Sequence, residues 1–329
     1  MATDSVIEQV RSAAKQLRCG LLPLVARAQG AASEGKDYAI VENALSECLA
    51  TLSALEIWGP ENRVPSSEIW NIAGDILTRG WLQHQAWRKP RGYAGDFEML
   101  ARIHDRQLCD DPLGRLFDRY FQAQAAPQAV RHRMQMVTDE IVKWVRSNLD
   151  ETRIVSFGSG PGLDVLDSIE QLSPADRPRA TFTLMDLDPR ALEFAQARLE
   201  PHAQGARLHF VNENLFRLAK NPRVAKWLDG ADLVFCTGLF DYLDDSTAAA
   251  MLSVLWQQLA AGGKLWVFNF SPVNPTRAYM EWLGNWYLTY RSEGQLQSLA
   301  ALAGIPPECF MFGAEPLEVN LFVAATKPA

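Results

Sequence analysis

The sequence predicts an α/β protein in two parts: an all-helical N-terminal domain over residues 1–140, capping a Rossmann-like sheet of seven strands over residues 141–329 that ends in an antiparallel hairpin. Three observations predict it. Up to Leu149 the apolar residues recur at helical spacing and β-rich runs are absent. After Asp150, short β-rich runs alternate with helical stretches, the pattern of a doubly wound parallel sheet. The last two extended runs follow one another with only a turn between them, so they pair antiparallel at one edge.

The helical half divides by its punctuation. From Ser5 to about Leu55, Val6, Val10, Ala13, Ala14, Leu17, Leu21, Leu22 and Val25 repeat at helical spacing, and a second run opens near Tyr38, so two long helices are expected. "WGPENRVPSSEIW" interrupts with Gly59, Pro60 and Pro65, and Ser66 or Ser67 is the expected N-cap of a third helix ending near Gly80. In "RKPRGYAGDFEML", residues 88–100, Pro90, Gly92 and Gly95 predict a turn, and Asp96 is the expected N-cap of the helix opening at "FEML". Residues 112–149 read as helix again.

The strands of the second half are "RIVSF", "ATFTLM", "ARLHFV", "ADLVFC" and "KLWVFNF", with the hairpin in "ECFMFGAEPLEVNLFVAATK" turning at Gly313 to Pro316. The 329 residues are 48% hydrophobic, ample for two cores. With 32 Lys and Arg against 39 Asp and Glu the net charge is -7, which weighs against nucleic acid as the partner. The five cysteines lie far apart, so no metal or iron-sulfur site is expected. Without a signal-like N-terminus or a long apolar run, the expected compartment is the cytoplasm, and a homodimer stays open.

"RIVSFGSGPGLDVLD" places Gly158, Gly160 and Gly162, with Ser159 between them, where the first strand turns into a helix. The spacing differs from the dinucleotide fingerprint G-x-G-x-x-G, so context decides whether the turn holds a ligand. Asp186, followed by Leu187, ends the second strand, where an acid accepts two ribose hydroxyls; Asp188, before Pro189, is the expected cap of the next helix. In "FVNENLF" Asn214 is the candidate for an adenine amino group, with Leu215 and Phe216 as walls. Thr237, Gly238 and Leu239 are expected beneath the ligand.

Together Gly158 to Gly162, Asp186, Asn214, "CTGLFDYL" and "LAAGGKLWVFNF" resemble the class I S-adenosylmethionine-dependent methyltransferases over about residues 150–329. The resemblance implies S-adenosylmethionine as cofactor and a small-molecule substrate. The family often has Asp at the adenine position where this chain has Asn214, whose amide oxygen still accepts a hydrogen bond. "RKPRGYAGDFEM", "VRHRM", "GLFDYL" and "FNFSPVNPTRAYMEWLGNWYLTYRSEGQL" resemble the branch assigned to biosynthesis of 3-hydroxypalmitic acid methyl ester. That implies O-methylation of a carboxylate in secondary metabolism or signalling.

A carboxylate nucleophile is ionised at pH 7 and needs an orienting cation rather than a base, and none of the five histidines commands the role of base. Arg91 and Tyr93 are the candidates to grip the acceptor's carboxylate or that of the cofactor; Tyr242 and Asn269 complete the candidate catalytic set. Arg277, Trp286, Tyr290 and Arg291 are candidates for substrate contact, although an Arg277–Glu281 ion pair within one helix competes. Tyr279, Trp282, Trp286 and Tyr290 fall on one helical face, as a packing stripe or a pocket wall. Two other activities stay open: attack at the γ-carbon of S-adenosylmethionine, closing an azetidine ring or transferring the aminocarboxypropyl group, and binding without turnover.

Overall fold

A computed structural model describes residues 4–27, 34–215 and 226–329, and the chain divides into two compact units. One comprises Met1–Gln128 with Pro275–Leu288, and the other Ala129–Asn274 with Thr289–Ala329.

In the first unit lie α1 (Asp4–Arg27), α2 (Glu34–Ser53), α3 (Arg63–Leu77), α4 (Trp81–Arg88), α5 (Phe97–His104) and α6 (Pro112–Gln122), joined by a π-helical turn at Tyr279–Leu283. The stripe on α1 is real: Val10, Ala13, Ala14, Leu17, Leu21 and Leu24 are buried against α2 and α3, whereas Leu22 faces out. Asp96 caps α5 as expected, accepting the Met99 N–H at 2.9 Å. The expected cap of α3 is corrected. The helix opens at Arg63, and the Ser66 and Ser67 hydroxyls donate back to Arg63 O and Val64 O inside its first turn. The entry is set from far along the chain: fully buried Glu281 accepts the Gly59 N–H at 2.5 Å and the Asn62 amide at 3.3 Å.

The expected stripe of Tyr279, Trp282, Trp286 and Tyr290 is not one helical face, because the π-helical turn ends at Leu283 and the chain runs irregularly beyond it. Tyr279, Trp282 and Trp286 are buried in the first unit, Tyr279 donating to Gln83 Oε1 at 2.8 Å and stacking on Phe121 at 4.9 Å, whereas Tyr290 falls in the second. For Tyr279 and Trp282 the role is packing.

The second unit carries most of α7 (Ala125–Ser147), then β1 (Thr152–Phe157), α8 (Leu163–Gln171), β2 (Ala180–Asp186), α9 (Pro189–Ala203), β3 (Arg207–Asn212), β4 (Ala231–Cys236), α10 (Asp245–Gln258), β5 (Leu259–Phe270), α11 (Glu293–Leu302), β6 (Phe310–Ala314) and β7 (Asn320–Thr326). The sheet order is β3-β2-β1-β4-β5-β7-β6, with β7 antiparallel to both neighbours and the other pairings parallel, as the sequence predicts. Ala180 through Met185 are all buried, as a sheet covered on both faces requires. Strand order reverses between β1 and β4, so the crevice beyond their carboxyl ends is the position where such sheets bind ligands. No described helix is long and apolar enough to cross a membrane.

Within the first unit one side chain ties three segments together. Buried Asp118 on α6 accepts the N–H groups of Leu82, at the start of α4, and Cys109, both at 2.9 Å, and burial raises its pKa. Asp118→Ala leaves one buried and one partly buried donor without an acceptor, so urea titration should show a loss of about 2–4 kcal/mol; an unchanged midpoint would show that these donors find other partners.

Candidate active site

The glycine turn and the acid at the end of β2 form one hydrogen-bonded unit. Gly158, Gly160 and Gly162 have φ of 68°, 51° and 64°, the left-handed region that favours glycine. The Gly158 and Ser159 N–H groups both donate to Met185 O at 2.9 Å, and Gly160 N–H donates to Asp186 Oδ2 at 2.8 Å. Asp188 N–H donates to Asp186 Oδ1 at 2.9 Å. Each carboxylate oxygen therefore carries one internal bond and keeps lone-pair capacity for another, the arrangement needed to accept two neighbouring hydroxyls. Burial raises the Asp186 pKa, while the backbone donors act to lower it. A Cβ on Gly162 would stand 2.6 Å from Leu184 Cδ2, so a larger residue would have to displace that side chain as well as adopt the left-handed backbone. Asp188 caps α9 as expected, accepting the Arg190 N–H at 3.0 Å.

The rest of the rim divides. Asn212 pairs with Asp186 across β3 and β2, and its amide donates to Asp186 O at 3.1 Å and Leu187 O at 2.9 Å, fixing the segment that carries the acid. Leu187 is exposed and Asn214 half-buried. Leu215 is buried in the core cluster that also holds Val211 and Leu228. Phe216 lies outside the described residues. After β4, Thr237 and Gly238 are half-buried, and Leu239 approaches the glycine turn: a Cβ on Gly158 would stand 3.1 Å from Leu239 Cβ.

Against this floor stands Arg133, a residue that pattern reading passed over. It is 3% exposed, its Nη2 lies 3.3 Å from where a Gly238 Cβ would be, and its Nη1 donates to Asn320 Oδ1 at 2.8 Å. Asp241 Oδ2 is 3.7 Å from Nη1, and Phe270 lies beneath the guanidinium at 5.5 Å. Burial lowers the Arg133 pKa and raises those of Asp241, to about 6, and Asp164, to about 7. The signal was present in the sequence: Arg133 interrupts an apolar stripe of Val130, Val137 and Ile141 on α7, where a lone cation is out of place.

Asn269 and Arg291, expected at the reaction centre and the substrate, form a structural clamp instead. Arg291 is 1% exposed; Nε and Nη2 bond Asp245 Oδ1, Nη1 bonds Phe240 O and Asn269 Oδ1, and Nη2 also bonds Leu243 O. That engages all its donors and leaves none for a substrate. The Asn269 amide donates to Phe270 O and Thr289 O. Tyr242 is 39% exposed at the end of a short helical turn, and the half-buried Tyr290 ring meets Phe270 edge-on.

Arg91, Tyr93, Arg277 and Trp286 belong to the first unit. Arg91 donates to Glu98 Oε1 at 2.5 Å and stacks 4.2 Å over Phe97, so its charge is already matched. Tyr93 is half-buried in the turn after α4, and Trp286 is buried. Arg277 forms the expected pair with Glu281 at 2.7 Å and lies over Trp58.

Residues 155–265 match the family described as a methyltransferase domain. An uncharacterized protein of Synechococcus sp. is 28% identical over 125 residues, which is 38% of this chain and 27% of that protein, so the match spans about a quarter of the relative's length. Among solved structures, one called a possible exported protein, from Bordetella parapertussis, aligns over 100% of both chains with TM-score 0.58 and 18% identity. The CurJ carbon methyltransferase aligns over 99% of this chain and 93% of its own, with TM-score 0.52 and 12% identity. These two likenesses show the fold. The domain match, together with the Asp186 geometry, makes S-adenosylmethionine the cofactor.

The buried acids beside Arg133 give the domain a pH signature. Both folded pKa values lie above the ordinary 3.8, so between about pH 4 and 7 the folded state holds more protons than the unfolded chain. Stability should fall as pH rises through that window and level off above it. Asp164→Asn should flatten the fall and stabilise the protein at pH 8 by about 3–4 kcal/mol, read by urea unfolding at pH 5 and 8; equal slopes for both proteins would refute the assignment.

Proposed function

We propose that this protein transfers the methyl group of S-adenosylmethionine to the carboxylate of a small apolar acid in secondary metabolism or signalling. The observation that carries this reading is Asp186, fixed through one oxygen to the glycine turn and through the other to the Asp188 N–H. In this reading Asp186 accepts both ribose hydroxyls, the glycines let the nucleoside approach the backbone, Asn214 accepts from the adenine amino group, and Thr237 and Gly238 lie beneath the ligand. Bound S-adenosylmethionine supplies a methyl group on a positively charged sulfur, leaving S-adenosylhomocysteine after transfer.

The acceptor side rests on the helical unit, read as the substrate domain, with Tyr93 and Trp286 as further candidates for contact. What supports an anionic acceptor is a pair of cations on one ring. Arg63 and Lys89 lie 5.2 and 5.6 Å from the centre of Tyr287, and neither makes an ion pair with a described residue. The ring is held by its hydroxyl, which donates to Asn62 Oδ1 at 2.5 Å. Lys89 is the left-handed C-cap of α4, its N–H donating to Gln85 O, and burial together with Arg63 lowers its pKa. In this reading the cation sought in the "RKPRGY" motif is Lys89, since Arg88 is exposed and Glu98 neutralises Arg91. A carboxylate held this way needs no general base; orientation and exclusion of water do the work. The proposed compartment is the cytoplasm, a reading supported by five free cysteines.

Incubation with S-adenosylmethionine and a series of fatty and aromatic acids should yield S-adenosylhomocysteine and a methyl ester, both read by mass; methylthioadenosine in their place would overturn methyl transfer in favour of attack at the γ-carbon. Asp186→Ala should weaken S-adenosylhomocysteine binding about tenfold or more by calorimetry, and unchanged affinity would move the ribose elsewhere. Lys89→Met should raise KM for the acid about tenfold with little change in kcat.

A further inference from the structure

Arg133 and Arg291 are both buried arginines of the second unit, and their hydrogen bonding is opposite. Arg291 has every donor engaged, whereas Arg133 uses one nitrogen. Nη1 carries the bond to Asn320 and faces Asp241, beyond hydrogen-bond length at 3.7 Å. Nε is buried and has no partner among the described residues. Nη2, which shares the flat outer edge of the guanidinium with Nε, makes no hydrogen bond to a described residue and points at the backbone of Gly238. That edge presents two parallel N–H groups in the spacing of a carboxylate.

Two more buried donors are without partners among the described residues: the Ser159 hydroxyl, 8% exposed, in the glycine turn, and Asn320 Nδ2, 0% exposed, on the residue that holds Arg133. Other buried polar atoms of the described residues also go without a partner, but these three gather around the carboxyl ends of β1 and β4 and the start of β7, where one anion could meet them together. Asp241 stands on the Nη1 side, with Oδ2 at 3.7 Å from that nitrogen and Oδ1 accepting the Phe270 N–H at 2.6 Å. Asp164 Oδ1 accepts the Val165 N–H.

The direction of the ligand follows from the sheet. Ribose at Asp186 places the nucleoside on the β2 side of β1, so the remainder of the molecule extends past the glycine turn toward the end of β4, where Gly238 and Arg133 stand. We propose that Arg133, through its Nε and Nη2 edge and assisted by the Ser159 hydroxyl, is the binding site for the carboxylate of the methionyl part of S-adenosylmethionine. This rests on the reading of the second unit as the S-adenosylmethionine domain and adds to it the residue that selects an amino-acid-bearing nucleoside over one without a carboxylate. Arg133 here binds and orients; it takes no proton and forms no bond.

The test compares three nucleosides by calorimetry: S-adenosylhomocysteine, its decarboxylated analogue, which keeps the amine, and methylthioadenosine, which lacks the whole amino-acid head. Wild-type protein should bind S-adenosylhomocysteine about 30-fold or more tighter than the decarboxylated analogue, the effect of losing a charge-assisted bidentate contact. Arg133→Met should remove that preference while leaving methylthioadenosine affinity within about twofold, a split that a merely structural defect would not produce, since it would weaken all three ligands together. Arg133→Lys, which keeps the charge without the fork, should recover part of the preference, and Ser159→Ala should reduce it several-fold. The wild-type comparison needs no variant to fold: equal affinity for S-adenosylhomocysteine and its decarboxylated analogue overturns the assignment of Arg133 while leaving the proposed function standing. Failure of all three to bind the wild-type protein overturns the proposed function and this inference with it.

Discussion

The bond from Gly160 N–H to Asp186 Oδ2 is the constraint on which the second unit's site is built. It joins the loop after β1 to the tip of β2, two strands already paired residue by residue from Thr152–Ala180 to Phe157–Met185. With Gly158 and Ser159 both donating to Met185 O, three consecutive amides of the turn are tied to one strand end. Glycine suits this turn because the backbone is left-handed at all three positions, and at Gly158 and Gly162 a Cβ would also press on the Leu239 and Leu184 side chains. The same carboxylate keeps open lone pairs, so one residue both shapes the turn and stays free to accept further hydrogen bonds.

Around that unit the sheet buries more charge than its structure alone requires. A buried arginine is tolerated when its donors are satisfied, and Arg291 meets that condition through Asp245, Asn269 and the carbonyls of Phe240 and Leu243. It locks the segment after β4 to the end of β5 and to the chain that precedes α11. Arg133 does not meet the condition, and the raised pKa values of Asp164 and Asp241 show the desolvation of the acids buried near it. The contrast separates a cation whose donors the fold fully engages from one that keeps donors to spare.

The first unit was legible in outline and misread in detail. Its long helices follow from apolar spacing, and Asp96 at the head of α5 follows from local capping chemistry, because both depend on neighbours within one or two turns. The entry to α3 does not, since Asn62 and Gly59 are held by Glu281, more than two hundred positions away in sequence. For the same reason "RKPRGYAGDFEML" was recognisable as a basic turn while the partners of its cations were not: Glu98 claims Arg91 seven residues on, and Lys89 meets the Tyr287 ring.

By itself the sequence determined the parallel β-α alternation, the strand that ends in Asp186, the glycine turn before α8 and the terminal hairpin, because each is written in local periodicity and turn chemistry. It also placed Asp188 as a cap and Arg277 with Glu281, both interactions across a few residues of one helix. Only the tertiary structure decided that Asn269 and Arg291 clamp the fold, that Leu215 enters the core, and that Arg133 lies beneath Gly238 with its outer edge unmatched. Those outcomes depend on which donors and acceptors distant segments bring together, and spacing along the chain carries no information about that.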